Sequence, residues 1–259
     1  MANHYDPATG WGTAEPIETT SGSGSTISVS VDAAGNAIAV WIQGDRIWSN
    51  RYEVGTGWGT AEMLDLSNGN NRYNPRVAVQ ASGESAVAVW RQGDDGGTMW
   101  ASIYSSTSGW SSAQIIAEPT TSSPVGGSVA IDAAGNAIAV WGENLTSSPF
   151  WANRYVPGTG WGTRESISSD APGSSVPEVA VDPSGQAIVV FRQDNGTEYS
   201  MWANRFLPGS GWGTPEQIET DDAGTATSPR IAVDASGSAL AVWSQYDGAL
   251  FDVQANAFR

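Results

Sequence analysis

Four tryptophans, Trp48, Trp100, Trp151 and Trp202, recur along the chain, and three of them stand two residues ahead of an asparagine: Asn50, Asn153 and Asn204. An amide recurs upstream of them at Gln43, Gln92 and Gln193 and again at Gln245, with Glu143 in the remaining copy. An aromatic face can stack on the C–H face of a neutral sugar, while nearby amide and guanidinium groups hydrogen-bond its hydroxyls. These residues are the candidate ligand-binding set. On an extended strand Trp and Asn share one face, and Arg51, Arg154 and Arg205 point to the other. Packing and hydrogen bonding between repeated units would account for the same pattern, and both readings stay open here.

Other chemistries find less support. Acid–base work on glycosides needs two or three carboxylates tuned differently at one place. The acids here recur in register instead, at Glu15, Glu62, Glu165 and Glu216, with Gln114 in the remaining copy. Repetition implies a structural or surface role in every unit. The single histidine, His4, sits at the N-terminus, and there is no cysteine, phosphate-binding loop or metal-ligand cluster. The expectation is therefore no enzyme, no metal and no cofactor. With 27 acidic against 11 basic residues the formal charge is −16, a field that repels nucleic acid and anionic membranes. No apolar run is long enough to insert in a membrane. Glycans or another protein remain as partners.

These residues must be positioned by strands. Val179-Ala180-Val181-Asp182-Pro183-Ser184-Gly185-Gln186-Ala187-Ile188-Val189-Val190-Phe191 reads as a β-hairpin, two alternating runs joined by Asp-x-x-Gly. It occurs five times, with the aspartate slot at Asp32, Gln80, Asp132, Asp182 and Asp234 and the glycine at Gly35, Gly83, Gly135, Gly185 and Gly237. Alternation sends Ile and Val to one face and Ala to the other; neither face is polar, so both should be buried. The Asp suits a turn role, accepting hydrogen bonds from its own following backbone. Calcium binding fits less well, because Gln80 would be a poor ligand.

A third strand (Trp-Ala-Asn-Arg-Tyr) and a Gly-rich turn follow each hairpin, then a fourth strand opening on Trp11, Trp58, Trp110, Trp161 or Trp212, spaced by 47, 52, 51 and 51 residues. A four-stranded unit of about 50 residues is the signature of a β-propeller blade. The chain is thus read as all-β: one domain over 1–259, a five-bladed β-propeller with four antiparallel strands per blade. The N-terminal strand at 10–18 should pair with the C-terminal blade and close the ring, removing a free edge. Third-strand copies number six, so residues 1–5 are either loosely attached or compete with 254–258. Starting mid-repeat suggests a segment cut from a longer array.

All thirteen Trp fall into three columns of the repeat, at the end of the second strand and the openings of the third and fourth. For the second- and fourth-strand columns, packing of one blade on the next is the preferred role. The loops between second and third strands and between blades vary in length. Their common face carries Tyr73, Phe150, Tyr199 and Tyr246 and is the expected binding face.

The Gly-Trp-Gly and Trp-Ala-Asn-Arg-Tyr motifs resemble those of bacterial β-propeller repeat proteins. In blade count the chain is similar to five-bladed tachylectin-2-like lectins, and in Trp content to bacterial propeller lectins. The resemblance implies a multivalent carbohydrate-binding protein with weak sites repeated per blade, combined through avidity. Gln254 and Ala257, and Ser102 and Ile103, depart from the motif and imply fewer working sites than blades. The alternative is a non-catalytic structural or adhesive module that contacts proteins. Either reading suits an extracellular or cell-surface location, although the N-terminus shows no signal-peptide pattern.

Overall fold

The computed structural model describes residues 1–19, 21–65, 71–93, 97–117, 123–143, 149–169, 176–220 and 224–258. Among them there is no helix, and every sheet is antiparallel. In the first repeat sheet Gly24–Val31, Ala37–Gln43 and Arg46–Glu53 pair in order, and Gly57–Trp58 and Glu62–Met63 share the third strand's outer edge. The second sheet (Arg72–Val79, Ser85–Gln92, Thr98–Ser105, Gly109–Trp110, Gln114–Ala117) repeats this order. So do the third (Pro124–Ile131, Ala137–Glu143, Trp151–Val156, Gly160–Trp161, Glu165–Ser166) and the fourth (Glu178–Val181, Ala187–Asp194, Tyr199–Leu207, Gly211–Trp212, Glu216–Gln217). The fifth has three strands, Ala226–Val233, Ala239–Tyr246 and Phe251–Phe258.

The hairpin turns form as their residue types dictate. Asp132 Oδ1 accepts from the backbone N–H groups of Ala134 (2.9 Å) and Asn136 (2.8 Å), and Asp32, Asp182 and Asp234 repeat the arrangement. Gly185 closes its turn at φ +87°, a conformation that side chains disfavour. It has a second reason to be glycine: a Cβ there would stand 2.8 Å from Asp132 Oδ2 of the preceding sheet. Each turn thus caps its own hairpin and seats the next.

Alternation decides how the sheets stack. In the third sheet Ile138 and Val140 face forward, packing with Val179 and Val189 of the fourth, whereas Ala137, Ala139 and Trp141 face back onto Val87 and Val89 of the second. Ile38 and Val40 likewise meet Val77 of the next sheet. Hydrophobic clusters therefore form between consecutive sheets, one per junction. Polar links reinforce them: Val77 N–H donates to Ser28 Oγ (3.2 Å), and Gln80 Nε2 to Ala133 O (2.7 Å).

Two expectations are corrected. The fourth strand is two short pieces rather than one, because residues 59–61, after Gly57–Trp58, have no ladder pairing before Glu62 resumes it. More consequentially, the ring is not closed by backbone pairing. The segment at 10–18 pairs with residues at the N-terminus, Tyr5 opposite Trp11 and Asp6 opposite Gly10, with a bridge between Ala2 and Glu15. Phe251–Phe258 has its second-strand partner and no outer one. The physical reason is local: residues 1–6 carry the same strand pattern as 251–258 and lie only a turn away from their partner, so the short loop wins over the long one.

Candidate functional site

The third strand is where the candidate residues meet. Trp, Asn and the closing aromatic face the preceding sheet, and Ala and Arg face the following one. Trp151 joins the cluster between sheets two and three, and Trp202 that between three and four. Trp48 and Trp100 occupy the same place at the two earlier junctions. All four are half-buried. Trp48 Nε1 donates to Gln43 O (3.1 Å) and Trp100 Nε1 to Thr98 Oγ1 (2.7 Å), while the Arg164 guanidinium lies 4.0 Å above the Trp151 ring.

The asparagines are clips between sheets. Asn50 Nδ2 donates to Ile17 O (2.8 Å), Asn153 Nδ2 to Ile116 O (2.8 Å) and Asn204 Nδ2 to Ile167 O (2.9 Å), each acceptor belonging to the preceding unit. Asn256 repeats the bond to Ile218 O at 2.7 Å. In the second sheet Ser102 stands in this column, and its Oγ reaches only Ser111 of its own sheet. The glutamines Gln43, Gln92, Gln193 and Gln245 are buried. Gln43 and Gln245 accept from the indole N–H of Trp41 and Trp243, both at 3.0 Å, and Gln193 donates to Ser169 Oγ at 2.7 Å. The Trp and Asn of the candidate set thus share a junction wall, whereas the Gln side chains are buried, two of them, Gln43 and Gln245, holding the second-strand indoles.

Across each junction stands a wall that the sequence did not pair with them. Between sheets three and four a cleft of about 90 Å³ is lined by Arg154, Thr163 and Glu165 on one side and Phe206 and Trp212 on the other. Between four and five the equivalent cleft, about 310 Å³, has Arg205, Thr214 and Glu216 opposite Asn256 and Phe258. The guanidiniums also cross the gap: Arg154 lies 5.6 Å from the Phe206 ring centroid and Arg205 4.8 Å from that of Phe258. The register that would have revealed this was present. Arg faces forward and Trp-x-Asn faces back, so stacking brings Arg of one unit opposite Asn of the next. Glu62, in the same column as Glu165, has its carboxyl held above the usual range because the surrounding protein strips water from the charged form. A repeating cleft of guanidinium, hydroxyl, carboxylate and aromatic edge can grip a polyhydroxylated ring from both walls.

The loop face is less open than expected. Phe150 is buried and stacks on Phe191 with ring centroids 4.8 Å apart. Tyr73 and Tyr199 lie under the guanidiniums of Arg91 and Arg192, and much of the loop from Glu143 to Phe150 lies outside the described residues. Among the described residues no group of three or more His, Asp or Glu could hold a metal ion.

The chain matches no protein family and no curated protein sequence. Solved structures do resemble it. An ulvan lyase described as bound to -[GlcA(1-4)Rha3S]- superposes with a TM-score of 0.63 at 10% identity, over 97% of this chain and 67% of that one. The Aleuria aurantia lectin in complex with α-methyl-L-fucoside gives 0.51 at 11% identity, over 88% and 76%. A Hadza microbial sialidase gives 0.52 at 12% identity over 90% of this chain, which spans 55% of the sialidase. At these identities the likeness establishes the fold, an all-β architecture of the β-propeller type. It also overturns the expectation that this chain is not an enzyme: a lyase and a sialidase share the architecture, so repetition of the acids does not exclude catalysis.

Proposed function

We propose that the five repeat sheets are blades of a carbohydrate-binding propeller and that its sugar sites are the junction clefts. One observation carries this reading: Arg205, Thr214 and Glu216 of one sheet face Asn256 and Phe258 of the next across about 310 Å³, and the preceding junction repeats the Arg, Thr, Glu and Phe in register. That volume is at the lower bound for small-ligand pockets and suits a monosaccharide unit. At the interior junctions Trp151 and Trp202 lie along the corresponding wall and offer a stacking edge, whereas in the fourth–fifth cleft Gln254 takes that slot and Phe258 supplies the aromatic edge. Glycan-linked names among the similar structures support the ligand class. The fourth–fifth cleft is the principal site, and the third–fourth cleft, at about 90 Å³, adds avidity only where its walls part to admit a sugar edge. We place its work outside the cell or at the cell surface, where glycans are presented.

The test is a glycan array on the purified chain, followed by Trp-fluorescence titration of each hit. Arg205→Ala or Glu216→Gln should weaken binding at least tenfold with the fold intact. Trp151→Ala with Trp202→Ala should lower avidity rather than abolish binding. A folded sample without a saturable hit would sink the sugar reading and favour a module that contacts proteins through the same repeats. Sugar turnover in the same samples would make the clefts catalytic.

A further inference from the structure

The two ends of the array present the two halves of a junction that the chain builds four times internally. At each interior junction the second strand of one sheet sends a pair of aliphatics forward to meet a pair on the first strand of the next. Ile38 and Val40 meet Val77 and Val79; Val87 and Val89 meet Val129 and Ile131. Ile138 and Val140 meet Val179 and Val181, and Ile188 and Val190 meet Ile231. The same two columns end in Leu240 and Val242 on the fifth sheet and begin with Val29 and Val31 on the first. Val29 is 60% exposed and Leu240 51%, although their interior counterparts Val179 and Ile138 are buried. A depression of about 340 Å³, lined by Leu240, Ala239 and Phe258, opens on the end face.

The rim shows the same complementarity. Trp11 is 70% exposed, whereas its equivalents Trp58, Trp110, Trp161 and Trp212 are half-buried. Phe206 pairs with Trp212, and its counterpart Phe258 has no residue opposite it on the outer edge. The segment carrying Trp11 is held to residues 2–6 by two ladder pairs and one bridge.

We propose that a second copy of this chain covers these surfaces, the start face of one molecule docking on the end face of another as a fifth junction. Val29 and Val31 pack on Leu240 and Val242. The segment around Trp11 leaves residues 2–6 and adds to the edge of Phe251–Phe258 of its neighbour, Trp11 opposite Phe258, a β-augmentation between copies. The contact is heterologous, so it can propagate head to tail. It does not rest on sugar binding, although Phe258 belongs both to the docked edge and to the fourth–fifth cleft. Each copy carries a formal charge of −16, so screening their repulsion with salt should strengthen assembly.

Sedimentation velocity over a concentration series tests this. The full chain should associate with concentration and more so at higher salt. Val29→Asp and Leu240→Asp each alter a side chain that already faces solvent, so neither challenges the fold; each alone should weaken association at least tenfold. Mixing the two variants should restore a dimer and nothing larger, since one intact start face and one intact end face remain. The chain has no cysteine, so Val29→Cys in one copy and Leu240→Cys in another should cross-link on oxidation when mixed. A monomer at every concentration and salt would overturn the proposal. So would a double-cysteine chain that links only within itself, because the faces would then close on each other in one molecule.

Discussion

The junction between the third and fourth sheets and the outer faces of the first and fifth are made from the same columns of residues, yet one is dry and the others are wet. Val179 is buried and Val29 is not; Asp132 lies buried under Gly185, whereas Asp234 has no turn above it and is exposed. Across the first three strands of each sheet the hydrogen bonding of the two regions is alike, although the fifth sheet lacks the outer pieces. What differs is the presence of a neighbour. A blade is therefore complete as a ladder before it is complete as a folded unit, and its core is supplied by the sheets on either side, as in other repeat arrays.

Breaking an interior contact and an exposed terminal one should separate these contributions. Trp141 is fully buried between sheets two and three, and Trp141→Ala should cost about 3–5 kcal/mol in denaturant unfolding. Trp11→Ala should stay within about 0.5 kcal/mol, because that ring faces solvent in the isolated chain. If the two cost the same, Trp11 is packed in solution and the comparison fails. Asn204→Ala removes a buried clip to Ile167 and leaves a carbonyl unpaired, an effect of about 1–3 kcal/mol. Asn256→Ala, an exposed version of the same bond, should cost clearly less by the same measurement.

Glycine substitution sharpens the comparison in the other direction. Gly83→Ala would place a Cβ 2.4 Å from Asp32 Oδ2 in addition to straining the turn, whereas Gly35→Ala meets only the end of Val54 at 3.2 Å. Thermal melts should show the larger loss for Gly83→Ala, and the difference between the two reports the sheet-to-sheet contact with turn strain largely cancelled. The smallest effect is electrostatic. Hydrogen bonds from the Ser236 hydroxyl and backbone hold the Asp234 carboxyl below its usual range. A depressed pKa stabilises the fold above the unfolded value and loses that contribution as pH falls through the folded one. Asp234→Asn should therefore flatten a shallow acid-side slope in Tm against pH, lowering Tm slightly at neutral pH and converging with the parent chain on acidification. Glu62 has the opposite sign: its raised carboxyl favours the fold as pH falls, so Glu62→Gln should remove a slight gain on acidification.

The hairpins were legible because each signal in them is local: alternation in Val179–Val181 and Ala187–Phe191, an Asp to open the turn, a Gly to close it. Packing of the second-strand tryptophans was legible too, since Trp141 has no polar surroundings in its own strand to explain it. The rim was harder. Gly59 and the residues after it carry no alternation, so the break between Gly57–Trp58 and Glu62–Met63 left no pattern to read. The open ring was harder still, because Tyr5 and Phe258 occupy the same column and only chain connectivity favours the former as the partner of Trp11. The junction walls were half-visible: alternation put Asn153 and Asn204 on one strand face with the tryptophans, but Arg154 and Glu165, which face the wall bearing Asn204, lie some 40–50 residues upstream. The amide column carries two readings, because Gln43 and Gln245 satisfy buried indoles, a demand that looks the same in sequence as a demand from a ligand.

Every tryptophan column in this molecule faces backwards, toward the unit made before it, and Arg51, Arg154 and Arg205 of the third strand face forwards. Such an array has a direction, like a stack of cups. A duplicated unit added at the carboxyl end would find its seat already shaped by the last sheet and would present the same seat in turn, with no change required in the sheets already present. Growth by gene duplication is then a step of low cost. The same polarity would let a library of single-unit insertions be made at one end of the chain without redesigning the other.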